Sequence, residues 1–248
     1  MKVLILAAGY GTRLYPYTKD FPKPLLKIGR QPLINHLLHK IRELDNVSRI
    51  IVITNGKFFE RFKAWKNTLR TKYPIRIIND LTMSPQERLG AIGDIHFAFS
   101  KEGFAGDFLV LGGDNLIEGD LVDFLKFARS KHPFTSIGLF DIKDKRQAKH
   151  YGVAILNREK RVIGLEEKPQ SPKSSLVAMC LYYFTRQKLR LIEEYLSNPF
   201  NTSDTAGDYI KWLSKRDKVY GYKFSDFWAD IGHMHTYKKV KGILKDRR

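Results

Sequence analysis

Apolar residues recur with two different periods along this chain. Short runs dominated by aliphatic residues fall at 1–6, 49–54, 75–78 and 107–111, with a further run at 135–140. Runs of this length, rich in Ile, Val and Leu, read as strands buried on both faces. Between them the spacing changes to three and four. Leu33, Ile34, Leu37, Leu38, Ile41 and Leu44 line one face of a helix, and Pro32 suits its first turn. Helices are likewise predicted over 58–69, over 89–99 despite Gly90 and Gly93, and over 121–129. Strand and helix alternate, the order that builds a parallel sheet covered on both faces.

From about residue 150 the rhythm shortens. Strands at 153–156, 162–167 and 177–184 follow one another with short connections, which predicts a mixed or antiparallel portion of the sheet. Helices near 187–196 and 205–213, a strand at 218–224 and a helix from about 236 complete the pattern, with a loop at 170–175. No internal repeat, low-complexity tract or linker interrupts it. Residues 1–248 therefore read as one α/β domain: a Rossmann-like three-layer α/β/α fold with a mixed, mainly parallel central sheet.

Composition narrows the class. A hydrophobic content of 43% over 248 residues supports one substantial core. No apolar run approaches the roughly 18 residues that span a bilayer, and the amino terminus lacks a secretory-signal pattern. Cys180 is the single cysteine, so an intrachain disulfide and a cysteine-based zinc site are excluded and a reducing, cytoplasmic compartment is expected. The net charge of +18 raises nucleic-acid or anionic-membrane binding. The lysines are dispersed, however, and the densest cluster (Lys238, Lys239, Lys241, Lys245, Arg247 and Arg248) is confined to the carboxyl terminus. Small phosphorylated substrates are anions too, and a positive field assists their capture. Neither a membrane nor a nucleic acid is the expected partner.

The first strand runs into Ala7-Ala8-Gly9-Tyr10-Gly11-Thr12-Arg13-Leu14, and Pro22-Lys23-Pro24-Leu25-Leu26 follows. Glycines after a buried strand leave backbone N–H groups open to an anion. This is not a Walker loop, for no Gly-Lys-Ser/Thr follows. It is not a dinucleotide fingerprint either, since Leu14 stands at the third glycine position. A plain tight turn would need neither Arg13 nor Lys23. A triphosphate site is the better reading.

These residues, with Pro16 and Thr18, closely resemble the opening of the sugar-phosphate nucleotidyltransferases, and the glucose-1-phosphate thymidylyltransferases above all. The resemblance extends in order over nearly the whole chain and implies a glycosyltransferase-A-like fold. It implies that Leu6, Ala8, Gly9, Gly11 and Thr12 wrap the triphosphate, that Arg13 holds the phosphates and the departing pyrophosphate, and that Lys23 sits at the α-phosphate. Residues from about 1 to 140 would form the nucleotide-binding part, and about 140 to 225 a sugar-phosphate lobe.

Two acids stand in telling places. Asp114 follows a strand that ends in Gly112-Gly113, where the carboxyl ends of parallel strands face a ligand; an Asp-Asn turn is the alternative. Asp230 lies in Trp228-Ala229-Asp230-Ile231-Gly232, among apolar neighbours that leave a carboxylate in need of a partner. The resemblance makes both of them Mg²⁺ ligands. In Leu165-Glu166-Glu167-Lys168-Pro169, a solvated charge cluster on composition alone, it assigns Lys168 to the sugar phosphate and Glu167 to sugar hydroxyls. It also aligns Tyr151-Gly152-Val153 with an element whose glycine leaves room for the sugar, and Gly90 with a close approach to the base. Ile92 and Asp94, and Met179 and Cys180, depart from the small residues usual at those positions. His36, His39, His233 and His235 are expected to play ordinary surface roles.

Taken together, these features predict an enzyme that joins a nucleoside triphosphate, with dTTP or UTP favoured, to a sugar 1-phosphate. A cytidylyltransferase for a non-sugar phosphate and a non-catalytic nucleotide or nucleic-acid binder are the alternatives. With 18 residues after Asp230, a monomer or homodimer without a separate effector site is expected.

Overall fold

The computed structural model describes residues 1–246. The first half contains β1 (Lys2–Leu6), β2 (Lys27–Ile28), β3 (Gln31–Pro32), α1 (Leu33–Arg42), β4 (Arg49–Thr54), α2 (Phe59–Asn67), β5 (Ile75–Asn79), α3 (Gly90–Glu102), β6 (Phe108–Gly112), β7 (Asn115–Ile117) and α4 (Leu121–Ser130). The second contains β8 (Thr135–Asp141), α5 (Lys145–Ala148), β9 (Gly152–Leu156), β10 (Val162–Glu167), β11 (Leu176–Phe184), α6 (Arg190–Ser197), α7 (Ala206–Arg216), β12 (Val219–Phe224), β13 (Trp228–Asp230) and α8 (Met234–Asp246).

A nine-stranded mixed sheet organises the molecule. β5, β4, β1 and β6 lie side by side and parallel, so that Val3 faces Ile50 on one flank and Leu109 on the other. β11 runs antiparallel to β6 and carries two further pieces. Its second half pairs with β6, and its first half reaches past the carboxyl end of β6 to meet β9 of the β9–β10 hairpin. β8 pairs along β11, and β12 lies parallel to β8. β8, β9 and β12 thus share the direction of β1, and β10 and β11 oppose it. The expected sugar-phosphate lobe is therefore continuous with the same sheet.

Alternation along each strand divides the core. Val3, Ile5, Ile50 and Val52 face α1, α2 and α4, whereas Leu4, Ile51 and Ile53 face α3, α6 and α7. Full burial of such a side chain contributes about 1.5–3 kcal/mol. A third, smaller cluster gathers Leu14, Leu26, Ile28, Leu33, Leu116, Ile231, Tyr237 and Val240. It ties α8 and the segment after β1 to a two-stranded antiparallel ribbon of β7 and β13, in which Asp230 faces Asn115.

The structure departs from the sequence expectations where elements are short. Pro32 ends β3 and immediately precedes α1 rather than standing inside its first turn. The ribbon and the β2–β3 pair are too short to show a period. The terminal helix begins at Met234, and of the basic carboxyl-terminal cluster Arg247 and Arg248 lie outside the described residues.

Ile231 is fully buried in the small cluster. Ile231→Ala is expected to cost about 2–5 kcal/mol of unfolding free energy in chemical denaturation; a loss below about 1 kcal/mol would show that this cluster is not a packed core.

Candidate active site

The loop after β1 is pinned from below and open above. Ala7 N donates to the Ile53 carbonyl, Asn55 Nδ2 to the Ala8 carbonyl (2.8 Å), and buried Thr18 Oγ1 to the Gly11 carbonyl (2.7 Å). The Tyr10 hydroxyl meets Thr82 Oγ1 at 2.9 Å. Gly11 adopts φ +62°, which a glycine takes without strain. No atom lies within 4 Å of the point a Cβ on Gly9 would occupy, so the backbone there faces open space. The N–H groups of Gly9 and Gly11 have no hydrogen-bond partner among the described residues. Leu6, Gly9, Gly11, Thr12, Arg13 and Lys23 line a cavity of about 350 Å³.

Lys23 reaches from its 3₁₀ turn to form an ion pair with Asp114. Asp114 lies one residue beyond β6, and Ile231 N donates to its carbonyl (3.0 Å), a bond that extends the β7–β13 ribbon and draws Asp230 alongside. Trp228 Nε1 donates to Asn115 Oδ1 at 2.6 Å and locks the ribbon. Burial opposes ionisation of Asp114, but the Lys23 ammonium outweighs it and holds that carboxyl below its ordinary value. Burial, with the charge of Asp114, pushes Asp230 up to about 6. Asp230 Oδ1 is buried and accepts no hydrogen bond.

An orphaned carboxylate oxygen beside a second carboxylate fits a hard divalent cation such as Mg²⁺. Among the described residues no third His, Cys, Asp or Glu completes a protein-only site. Two carboxylates that leave the remaining positions to phosphate oxygens and water suit Mg²⁺ rather than a metal caged by protein.

Across Asp114 and Arg13 the first cavity adjoins a second, of about 280 Å³, lined by Tyr151, Gly152, Glu167, Lys168, Cys180 and Asp230. Gly152 opens β9 opposite Glu167 at the end of β10. Lys168 N donates to the Tyr151 carbonyl (3.0 Å), and Lys168 Nζ lies 3.5 Å from Glu167 Oε1. Burial raises the Glu167 carboxyl above its ordinary value, against the pull of Lys168.

The residues assigned from the sequence to phosphate, metal or sugar phosphate thus lie at one edge of the sheet, and three other residues take roles different from those expected. The space beside Gly90 is taken by the backbone of Ser203 and Asp204, 2.5 Å from where its Cβ would be, so its missing side chain admits that segment rather than a base. The space beside Gly152 is taken by the Glu167 carboxylate and not left open for a sugar. His233 is no ordinary surface residue: its Nε2 lies 3.0 Å from Arg13 Nη1, and burial, then the charge of Arg13, lowers its pKa, so the neutral ring accepts from the guanidinium. A histidine three residues after an acid carries no periodic signal, so its role was hidden in the sequence. His36 contacts the Ile28 carbonyl and Gln31, a structural role.

Asp94, one of the departures from small residues, is buried against Asp80, whose carboxylate accepts from Thr82 N and Oγ1. Burial, then the charge of Asp80, holds the Asp94 carboxyl well above its ordinary value, and burial raises Asp80 as well. Cys180 sits in the left-handed region at φ +52° where β11 changes partners, between the two halves of its pairing with β8. A larger cavity, about 460 Å³, lies at the other end of β4 between α1 and residues 69–73, and contains none of these groups.

The family model described as nucleotidyl transferase matches residues 2–247. The chain belongs to the nucleotidyl transferase family. It is 30% identical over 248 residues to the bifunctional protein GlmU of Methanocaldococcus jannaschii, an alignment that takes in 100% of this chain and 55% of that protein. It is 26% identical over 263 residues to a glucose-1-phosphate adenylyltransferase of Mycoplasma mobile, covering 100% of this chain and 68% of that one. The chain spans about half the length of the GlmU relatives it matches. Among solved structures, UDP-glucose pyrophosphorylase complexed with UDP-glucose superposes with a TM-score of 0.81 at 21% identity, covering 100% of this chain and 99% of that one. A Bacillus anthracis chain provisionally named a glucose-1-phosphate thymidylyltransferase gives 0.82 at 24%, over 99% and 96%. These likenesses establish the fold.

Because the folded state raises the Asp230 pKa from its ordinary value to about 6, its penalty is absent at low pH, where the group is protonated in both states, grows as pH rises from about 4 towards 6, and is complete above that. Asp230→Asn is therefore expected to stabilise the metal-free protein at pH 7 by on the order of 1–3 kcal/mol and to lose that advantage at pH 4. Thermal melts at the two pH values measure it. An advantage that is the same at both would mean that Asp230 is not a strained carboxylate.

Proposed function

We propose that this chain joins a nucleoside triphosphate to a sugar 1-phosphate, releasing pyrophosphate, with Mg²⁺ held by Asp114 and Asp230. The observation that carries the reading is the convergence of an open glycine loop, Arg13 and Lys23 with a buried carboxylate pair, at the mouth of a second cavity that holds Glu167 and Lys168. The family's matched members carry names of sugar-phosphate nucleotidyltransferases that differ in base. dTTP and UTP are the donors favoured here.

The bound cation would supply charge neutralisation at the phosphate oxygens. The chain's own groups do the positioning. The loop amides hold the triphosphate, and Arg13, steadied by His233, faces the phosphates that leave. Lys168 orients the sugar phosphate so that its oxygen attacks the α-phosphorus in line with pyrophosphate. Lys23, which pairs with Asp114 here, stabilises the charge that develops there; a cation held by Asp114 would leave the ammonium free for that task. Phosphoryl transfer asks mainly for such placement and charge, and needs no covalent enzyme intermediate.

A matrix of nucleoside triphosphates against sugar 1-phosphates, read by pyrophosphate release, tests the reading; release with no pair would defeat it. Asp114→Asn and Asp230→Asn are each expected to remain folded and lose at least about 100-fold in kcat. Near wild-type turnover in either at saturating Mg²⁺ would remove that residue from the assignment. Lys23→Ala and Lys168→Ala should differ. The first should lower kcat, and the second should chiefly raise KM for the sugar phosphate. An effect of both confined to the KM for the triphosphate would contradict the division of labour.

A further inference from the structure

Gly207 stands in the first turn of α7, buried, and its backbone is not in the left-handed region. Conformation does not demand glycine there, and alanine is the better helix former. The reason for its presence is spatial. The point where a Cβ on Gly207 would lie is taken by the Glu167 carboxylate: Oε2 occupies it and Cδ is 3.0 Å away. Gly152 closes the other side, with its Cβ position 2.9 Å from the same oxygen. The strand register brings this about, since Gly152 and Glu167 face each other across β9 and β10 while α7 packs over β10. The carboxylate therefore sits in a slot with a glycine on each wall, at the edge of the 280 Å³ cavity, with Lys168 Nζ 3.5 Å away.

We infer that Gly207 is a positioning residue, whose missing side chain seats the Glu167 carboxylate so that it accepts hydrogen bonds from hydroxyl groups of the incoming phosphosugar. This rests on the sugar 1-phosphate reading above. An ionised carboxylate only accepts and can serve two donors at once, so the slot selects a ring that presents hydroxyls over a deoxygenated one. The same burial accounts for the raised Glu167 pKa; Lys168 pulls it down, while the charges of Asp208 and Asp204 push it further up.

Gly207→Ala in the full chain is the test, because the added methyl meets the far end of a flexible side chain and not backbone. The Glu167 carboxyl, followed by NMR in carbon-labelled protein and assigned with Glu167→Gln, is expected to titrate above the ordinary glutamate value in the wild type. In Gly207→Ala it is expected to fall towards that value as the group swings into water. The KM for a hexose 1-phosphate is expected to rise at least tenfold with the KM for the triphosphate unchanged, and the preference over the deoxy analogue to fall by a similar factor. Gly152→Ala, which encroaches less, should move both readouts in the same direction by less, and it carries the test if Gly207→Ala does not fold. An unmoved Glu167 titration in the folded variant would overturn the slot. A moved titration with an unchanged sugar-phosphate KM would overturn its role in binding. Absence of turnover in the wild type would defeat the reading under Proposed function, while the titration still decides the slot.

Discussion

Two carboxylates far apart in the sequence are forced together at the edge of a sheet, and their burial beside one another is the constraint around which the site is arranged. The short β7–β13 ribbon does the forcing. Asp230 pairs with Asn115, the residue after Asp114, and Ile231 bonds back to the Asp114 carbonyl. Like charges in a partly dry site cannot both ionise freely. The structure resolves the conflict by giving one partner to Lys23 and leaving the other, Asp230, with a raised pKa and a bare oxygen. A site that is strained in this way is stabilised by whatever cation completes it.

The rest of the fold supports that arrangement. The parallel half of the sheet places the glycine loop and Asp114 at neighbouring strand ends, because Leu6 and Gly112 are in register. The small third cluster clamps the ribbon against α8 and the segment that carries Arg13 and Lys23. The hairpin on the overhanging half of β11 brings Glu167 and Lys168 up to the same edge. The chain's excess of positive charge then acts at longer range, favouring the approach of anionic substrates.

Much of this was legible in the sequence. The aliphatic runs that became β1, β4 and β6 are buried on both faces, so burial alone writes them as strands, whereas β5 at the sheet edge exposes Arg76. Arg13, Lys23, Asp114, Asp230, Glu167 and Lys168 were named from their motifs, and the structure gathers them. The ribbon that joins the two acids was not legible, because three-residue strands have no period and their pairing depends on tertiary contacts. The roles of Gly90, Gly152 and Gly207 were hidden for a related reason: what fills the space beside a glycine is a neighbour distant in sequence. His233 likewise gains meaning only when the chain returns to Arg13.

The central claim is that Asp114 and Asp230 together form a cation site that serves a bound triphosphate. Titration of the intact chain with Mn²⁺ in the presence of a nucleoside triphosphate, followed by electron paramagnetic resonance, tests it most directly. The account predicts a protein-bound cation in the wild type whose affinity falls at least tenfold in Asp230→Asn and in Asp114→Asn. Equal Mn²⁺ binding by the wild type and both variants would contradict it.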